Sequence, residues 1–368
     1  TAFVQVSSNL NIDSNGDLIM DSISNDFSDL FVVGTSAGNV EYRRFTASAA
    51  TRDLVSPPVS GQSFSSFASD NSGKIAAGTI TSGNLMYGPF SSGVYTEYAA
   101  SDTSSLTSGK GYRAGSVGGQ TLTYTGVVNT SDINVGVAFT PGDYKETNLV
   151  GNPFTTHINA GAIVTALANS TAIDQSYAAI YGYDGSVTSD GSTWKAINSL
   201  SPNELITPGQ GFIIISTTAG GTFTFPKSAR QVSTTAQDDF IVGRQSSSSE
   251  HTYFKLGLSR GANLVANTSI YFHEQGTRGL DVTYDAGSLG SNIGTHLVED
   301  SQGINLSIQV LSSDDLTASD YVIPVEVSVA AGQESTISIT ELNNVPSGVE
   351  FYLDDTELNI QTLITSND

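Results

Sequence analysis

The chain has 368 residues, 36 acidic against 14 basic side chains and a net charge of −22, a surface that repels phosphate backbones and anionic bilayers and so excludes nucleic acid as a partner. It has no cysteine, which excludes disulfides and thiolate metal sites, and no apolar run near the roughly 18 residues of a membrane span, so no membrane insertion is expected. Its hydrophobic residues, 38% of the total, suffice for a packed core.

Only 14% of residues are charged, and polarity comes instead from Ser, Thr, Asn and 37 Gly. Those residues favour strands and turns over helices, so an all-β chain is expected. The chain opens at Thr1 without Met and reads as a processed or excised piece. Phe3-Val-Gln-Val6, Leu10–Ile12, Leu18–Met20 and Leu30–Val33 are short apolar strands parted by turn residues, the spacing of a β-sandwich. Asp13, Asn15 and Asp17 place oxygen ligands at alternate positions, as a calcium loop does, and Ca2+ is the one cofactor the sequence offers. The loop lacks the later Gly and the bidentate Glu, and Asn15-Gly16 between two apolar runs is also a hairpin signal, so the turn is the plainer reading.

Leu106-Thr-Ser-Gly-Lys-Gly-Tyr-Arg113 sets a lysine between glycines. It has neither the spacing of a phosphate loop nor a following helix, so a tight turn is expected. Gly118-Gly119 then opens a strand of alternating apolar residues. Ile158–Ala168 is the single helix candidate, with apolar residues at 158, 162, 163 and 167 on one side. Tyr181, Tyr183 and Trp194, the sole tryptophan, lie in one loop-rich stretch and could stack on sugar rings; core or hairpin packing is the ordinary use of such residues.

One hundred residues after the first glycine turn comes Ile206-Thr-Pro-Gly-Gln-Gly-Phe-Ile213, followed by its own Gly220-Gly221 and alternating strand. Two related hairpin units are therefore expected, with Lys110 and Gln210 equivalent and their side chains left unspecified by the architecture. The polar, serine-rich stretch 231–250 marks a boundary. Residues 1–235 form the first β-sandwich region on this reading, and residues 236–368 an immunoglobulin-like sandwich with strands at Tyr253–Leu258, Thr268–His273, Leu280–Tyr284, Ile304–Leu311, Val322–Val329, Thr336–Leu342 and Val349–Leu353.

No catalytic set converges. Asp314-Asp315 and Asp354-Asp355 are adjacent carboxylates that a strand would point to opposite faces. The four histidines (157, 251, 273, 296) lack ligand spacing, and no serine sits in a nucleophile elbow. The chain is not expected to be an enzyme.

Gly109–Tyr112, Leu149-Val-Gly-Asn-Pro-Phe154, Tyr181–Gly185, Thr207–Phe212 and Lys227–Arg230 occur in an order that resembles the large secreted and surface-attached proteins of Bacteroidota exported by the type IX secretion system. Tyr271-Phe-His273, Gly279–Asp285, Ile323-Pro-Val325 and Phe351–Asp355 continue the likeness. Thr155 departs from the usual Pro, and the sorting domain common in those proteins does not follow Asp368. The resemblance implies an extracellular, adhesin-like protein on the outer cell surface. It also implies O-glycosylation at Ser22, within Asp21-Ser-Ile23, and a closing sandwich that this chain leaves one strand short.

The function expected is a non-catalytic structural or adhesive surface element, associating with copies of itself or with other surface proteins. The alternating Phe3, Val4 and Val6 would be the donated strand that completes a neighbour's sandwich and builds a filament. The alternative is a carbohydrate-binding accessory module of an exported hydrolase, holding glycans through Tyr181, Tyr183 and Trp194.

Overall fold

The computed structural model describes residues 2–13, 16–91, 93–140, 146–185, 194–235, 250–299, 303–317 and 321–364. Of the described residues 46% lie in strands and 8% in helices, so the protein is all-β.

The N-terminal segment runs parallel to the stretch that follows it. Phe3–Val6 pairs with Asp29–Val32, Leu10–Asn11 with Ser36–Ala37, and Ile19–Asp21 with Glu41–Arg43, all in parallel. The runs flanking Asn15-Gly16 therefore do not pair with each other, and the expected hairpin is not formed. Each run instead buries alternate residues against a core that contains Met20, Leu30, Val32, Val40 and Tyr42. The Phe3–Val6 strand, expected to be free, is held within its own chain, although Phe3 and Val4 remain 52% and 41% exposed.

Next come two copies of one unit. In the first, a four-stranded sheet has the order Val94–Tyr95, Tyr87–Ser91, Tyr112–Ala114, Asp53–Val55; in the second, the order is Trp194–Ile197, Ile180–Tyr183, Gly211–Ile215, Thr147–Gly151. Each unit also contributes one helix. Phe64–Asp70 begins at Ser63, whose hydroxyl accepts from the Ser66 N–H, and Ala160–Ala168 begins at Asn159, whose side chain accepts from the Ala162 N–H. The first helix escapes sequence reading because its seven residues are mostly serine and phenylalanine. In the second, Ile158 belongs to the preceding strand His157–Asn159 rather than to the helix. Each unit closes with an antiparallel ladder, Gln120–Gly126 on Val40–Thr46 and Gly221–Phe225 on Ile133–Val137. The repeat noticed at the two glycine turns thus spans about a hundred residues, most of it hidden because the inner positions are filled by unlike apolar residues: Phe64, Phe67 and Tyr87 in one core, Ile163, Val164 and Ile180 in the other.

The C-terminal part is a seven-stranded mixed sheet. Its path runs Val325–Val327, Ile293–Thr295, Leu306–Ser312, Asn263–His273, Thr252–Arg260, Thr336–Asn343, with Ala286–Gly287 branching from Leu306–Ser312. Asn263–His273 and Leu306–Ser312 run parallel. Leu280–Tyr284, expected as a strand, is a loop: its Asp281 and Asp285 side chains accept backbone N–H groups locally, and Thr283 sits at a φ of 76°. A hairpin of Phe351–Asp355 and Ile360–Ile364 forms the second layer, with the Phe351 ring 4.6 Å from that of Phe254. A strand therefore does follow Phe351–Asp355, contrary to the expectation that the chain stops short of it. Among the described residues no sheet mixes strands from before residue 235 with strands from after residue 250.

Candidate functional site

The two glycine turns are reciprocal clasps. The Gly109 carbonyl accepts from the Gly151 N–H of the second unit at 3.0 Å, and the Gly209 carbonyl accepts from the Ser56 N–H of the first at 2.8 Å. Lys110 bridges to Val150, and Gln210 to Val55. Gly109 and Gly209 adopt φ of 83° and 66°, which glycine supplies without a Cβ penalty. Gly111 and Gly211 are required for closeness instead: a Cβ would come within 2.8 Å of the Val150 carbonyl oxygen at the first and within 2.6 Å of the Leu54 carbonyl carbon at the second. Both turns are structural.

The change from lysine to glutamine has a cause that sequence reading missed. Beneath Gly109 lies the Val135 side chain, and beneath Gly209 lies that of Arg44. Arg44 is fully buried; it donates from Nη1 to Asp53 Oδ2 at 2.7 Å and from Nη2 to Gln210 Oε1 at 2.8 Å. Gln210 also donates from Nε2 to Asp53 Oδ1 at 3.3 Å and to the Leu54 carbonyl at 3.0 Å. An amide can accept from the guanidinium and donate to the carboxylate at once; a lysine can only donate, and would set a second cation beside the first. Gln210 is thus specified, against the expectation that its side chain is free, while Lys110 sits half-buried over an apolar floor. Lys110→Gln should change stability by less than about 0.5 kcal/mol, and Gln210→Lys should cost about 2 kcal/mol or more, as measured by urea denaturation.

The aromatic trio is only partly brought to the surface. Tyr181 is 2% exposed and its hydroxyl donates to the Gly287 carbonyl at 2.9 Å, so it is a packing residue and not a platform. Burial pushes its phenol well above the ordinary value. Tyr183 is half-buried and donates to the Thr51 carbonyl. Its cross-strand partner Trp194 is 37% exposed, with ring centroids 5.3 Å apart.

Trp194, Lys195 and Ala196 form one wall of a cleft of about 700 Å³ between the edge strand of the second unit and the outer face of the C-terminal sheet. The register explains the floor. Phe254, Leu256 and Leu258 alternate inward to the core, which turns Lys255 and Gly257 outward, paired with Ser269 and Asn267 on the next strand. On the other side Lys255 lies opposite Glu341, with Nζ 2.6 Å from Oε2, and Tyr253 donates its hydroxyl to the same carboxylate. Partial burial lifts the Glu341 carboxyl, but the bonds from Lys255 and Tyr253 outweigh it and hold the group below its usual range.

The remaining candidates are not gathered into a site. Asp13 and Asp17 are exposed, Asn15 lies outside the described residues, and among the described residues no three His, Cys, Asp or Glu side chains gather to hold a metal. Ser22 is 4% exposed; its hydroxyl donates to the Arg43 carbonyl at 2.8 Å and accepts from the Phe45 N–H at 2.6 Å. Its hydroxyl is therefore not presented at the surface of the folded chain, because the alternation of Ile19–Ile23 turns Met20 and Ser22 inward together. Asp315 pairs with Arg278, Asp355 caps the turn at Glu357 and Leu358, and Asp354 accepts from Gln361. No helix among the described residues is long and apolar enough to cross a membrane.

Fold and site together define an all-β protein of two clasped repeats and a C-terminal sandwich, with an open cleft between the second repeat and the sandwich. A family model described as a domain of unknown function, DUF8693, matches residues 1–368, and the chain belongs to that family. No curated protein and no solved structure matches it.

Proposed function

We propose that the chain is a non-catalytic structural and adhesive element of an outer cell surface, of the kind its sequence resembles in Bacteroidota, and that copies join head to tail by strand addition. The observation that carries this reading is the apolar surface left at its two ends. Phe3 and Val4 are exposed on a strand that, among the described residues, is paired along one edge only, and Leu342, Tyr352, Leu358, Ile360 and Leu363 are 43–67% exposed around the thin second layer of the sandwich. Apolar residues on a two-stranded layer are a surface that another strand can cover, and an unpaired strand edge offers the backbone groups to do so. A heterologous contact of this type does not close on itself and gives a filament.

Because Phe3–Val6 is paired within its own chain, the strand meets the neighbour through its open edge. Light scattering and electron microscopy test the reading. The 368-residue chain should polymerise as its concentration rises, and a chain lacking residues 1–7 should remain a folded monomer. A 368-residue chain that stays monomeric at several hundred micromolar sinks it.

A further inference from the structure

We infer that the cleft beside Trp194 is a binding site for a neutral oligosaccharide. The inference does not depend on filament formation. The floor carries Asn267 and Ser269 on adjacent outward positions, and Ser269 is only 8% exposed. Among the described residues neither side chain has a hydrogen-bond partner, nor does the Trp194 indole N–H, although the surrounding polar groups are engaged. Lys255 is paired with Glu341, Asn292 donates to the Ser328 carbonyl, and Ser307 donates to the Ala286 carbonyl. An amide, a hydroxyl and an indole N–H left open in one concavity are donors and acceptors awaiting hydroxyl groups.

The wall supplies the other half of sugar recognition. Trp194 presents an exposed ring buttressed by Tyr183, and Leu264, Val265 and Ile308 give apolar surface for the C–H face of a pyranose. The volume of about 700 Å³ falls in the range of small-molecule sites, roughly 300–1,000 Å³. The charge selects neutrality. Of the two cations lining the cleft, Lys255 on the floor is paired with Glu341 and Lys195 on the wall with Asp184 at 3.8 Å, and the chain as a whole carries −22, so among the described residues a sulfated or uronate polymer finds no unpaired cation there and a repulsive field around it. The floor has its present shape because of the bulge that shifts the register between Lys255 and Leu256 and lifts Thr340 beside Gly257.

The test is isothermal titration of the full chain with neutral glucan, mannan and galactan hexasaccharides at low and high salt. At least one should bind, with affinity unchanged by salt. Trp194→Ala should weaken it by about tenfold or more, the size of a lost aromatic anchor, and Trp194→Phe should restore part of the loss. Asn267→Ala, an outward substitution with no packing role in the core, should weaken binding several-fold while thermal melting stays the same. No binding to any of the three at millimolar concentration overturns the inference. So does binding that both alanine variants leave intact, or binding confined to anionic glycans and lost in salt.

Discussion

Arg44→Ala should destabilise the folded chain by about 3–5 kcal/mol, the usual cost of removing one partner from a buried ion pair. Arg44 and Asp53 are both inaccessible to solvent. Without the guanidinium, the Asp53 carboxylate keeps only the 3.3 Å bond from Gln210 and a bond from the backbone of Ala47, in a place where burial already pushes its pKa up despite Arg44. Gln210 Oε1 and the Pro208 and Phe45 carbonyls lose their donor at the same time. The damage is not local, because Pro208 and Gln210 belong to the second unit while Arg44 and Asp53 belong to the first. The clasp on Ser56 should therefore loosen, which amide hydrogen exchange at the Ser56 N–H would report. Arg44→Met combined with Asp53→Leu should recover part of the loss, since an apolar pair leaves no stranded charge. A loss under about 1 kcal/mol for the single variant, by urea denaturation at pH 7, would show that the network contributes little to stability.

Why the sequence disclosed some of this and not the rest follows from where each feature stores its information. Glycine turns, the Gly-Gly pairs and the alternating strands at Tyr253 and Thr268 are local, so all-β character and the existence of a repeat could be read directly. The parallel pairing of Ile19–Asp21 on Glu41–Arg43 is not local: nothing in either segment names its partner, and Asn15-Gly16 suggested the wrong one. Gln210 illustrates the same limit at the level of a side chain. Its role is set by Arg44, 166 residues away, and a repeat-based comparison with Lys110 suggests freedom where the fold imposes a three-way hydrogen bond. The cleft was half visible. Trp194 stood out as the sole tryptophan, but Asn267 and Ser269 became its companions only once the strand register turned them outward. Ser22 and Tyr181 failed as surface residues for a related reason, since motif matching carries no information about which face of a strand is inward.

The contribution of Asp285 to stability should fall as pH rises from about 4 to about 7. Its side chain is 1% exposed, and burial pushes its pKa up to about 7, more than the hydrogen bonds from the Asp281 and Val310 N–H groups can offset; the Asp281 carboxylate adds repulsion. In the unfolded chain an aspartate titrates near its ordinary value of about 3.9. Between the two values the folded state holds a proton that the unfolded state has released, so protonation favours folding there. The stabilisation is complete below about pH 4, declines through the interval, and is gone above pH 7; three units correspond to at most about 4 kcal/mol. The position gives the titration a structural consequence. Asp285 Oδ1 accepts from the Val310 N–H at 2.7 Å and Oδ2 from the Asp281 N–H at 2.8 Å, which holds the loop in which Thr283 keeps its left-handed φ. That loop is where the second unit attaches: the Thr283 carbonyl accepts from the Ser199 N–H at 2.8 Å, and the Tyr284 carbonyl from Asn198 Nδ2. A charged Asp285 should therefore loosen the junction as well as the sheet, and proteolysis around residues 277–287 should be faster at pH 8 than at pH 5. Asp285→Asn cannot titrate. It should be less stable than the parent at pH 5, because its amide cannot accept both backbone N–H groups, and its stability should be flatter with pH. If urea denaturation gives parent and variant the same slope between pH 5 and 8, the titrating group lies elsewhere and the assignment to Asp285 is wrong.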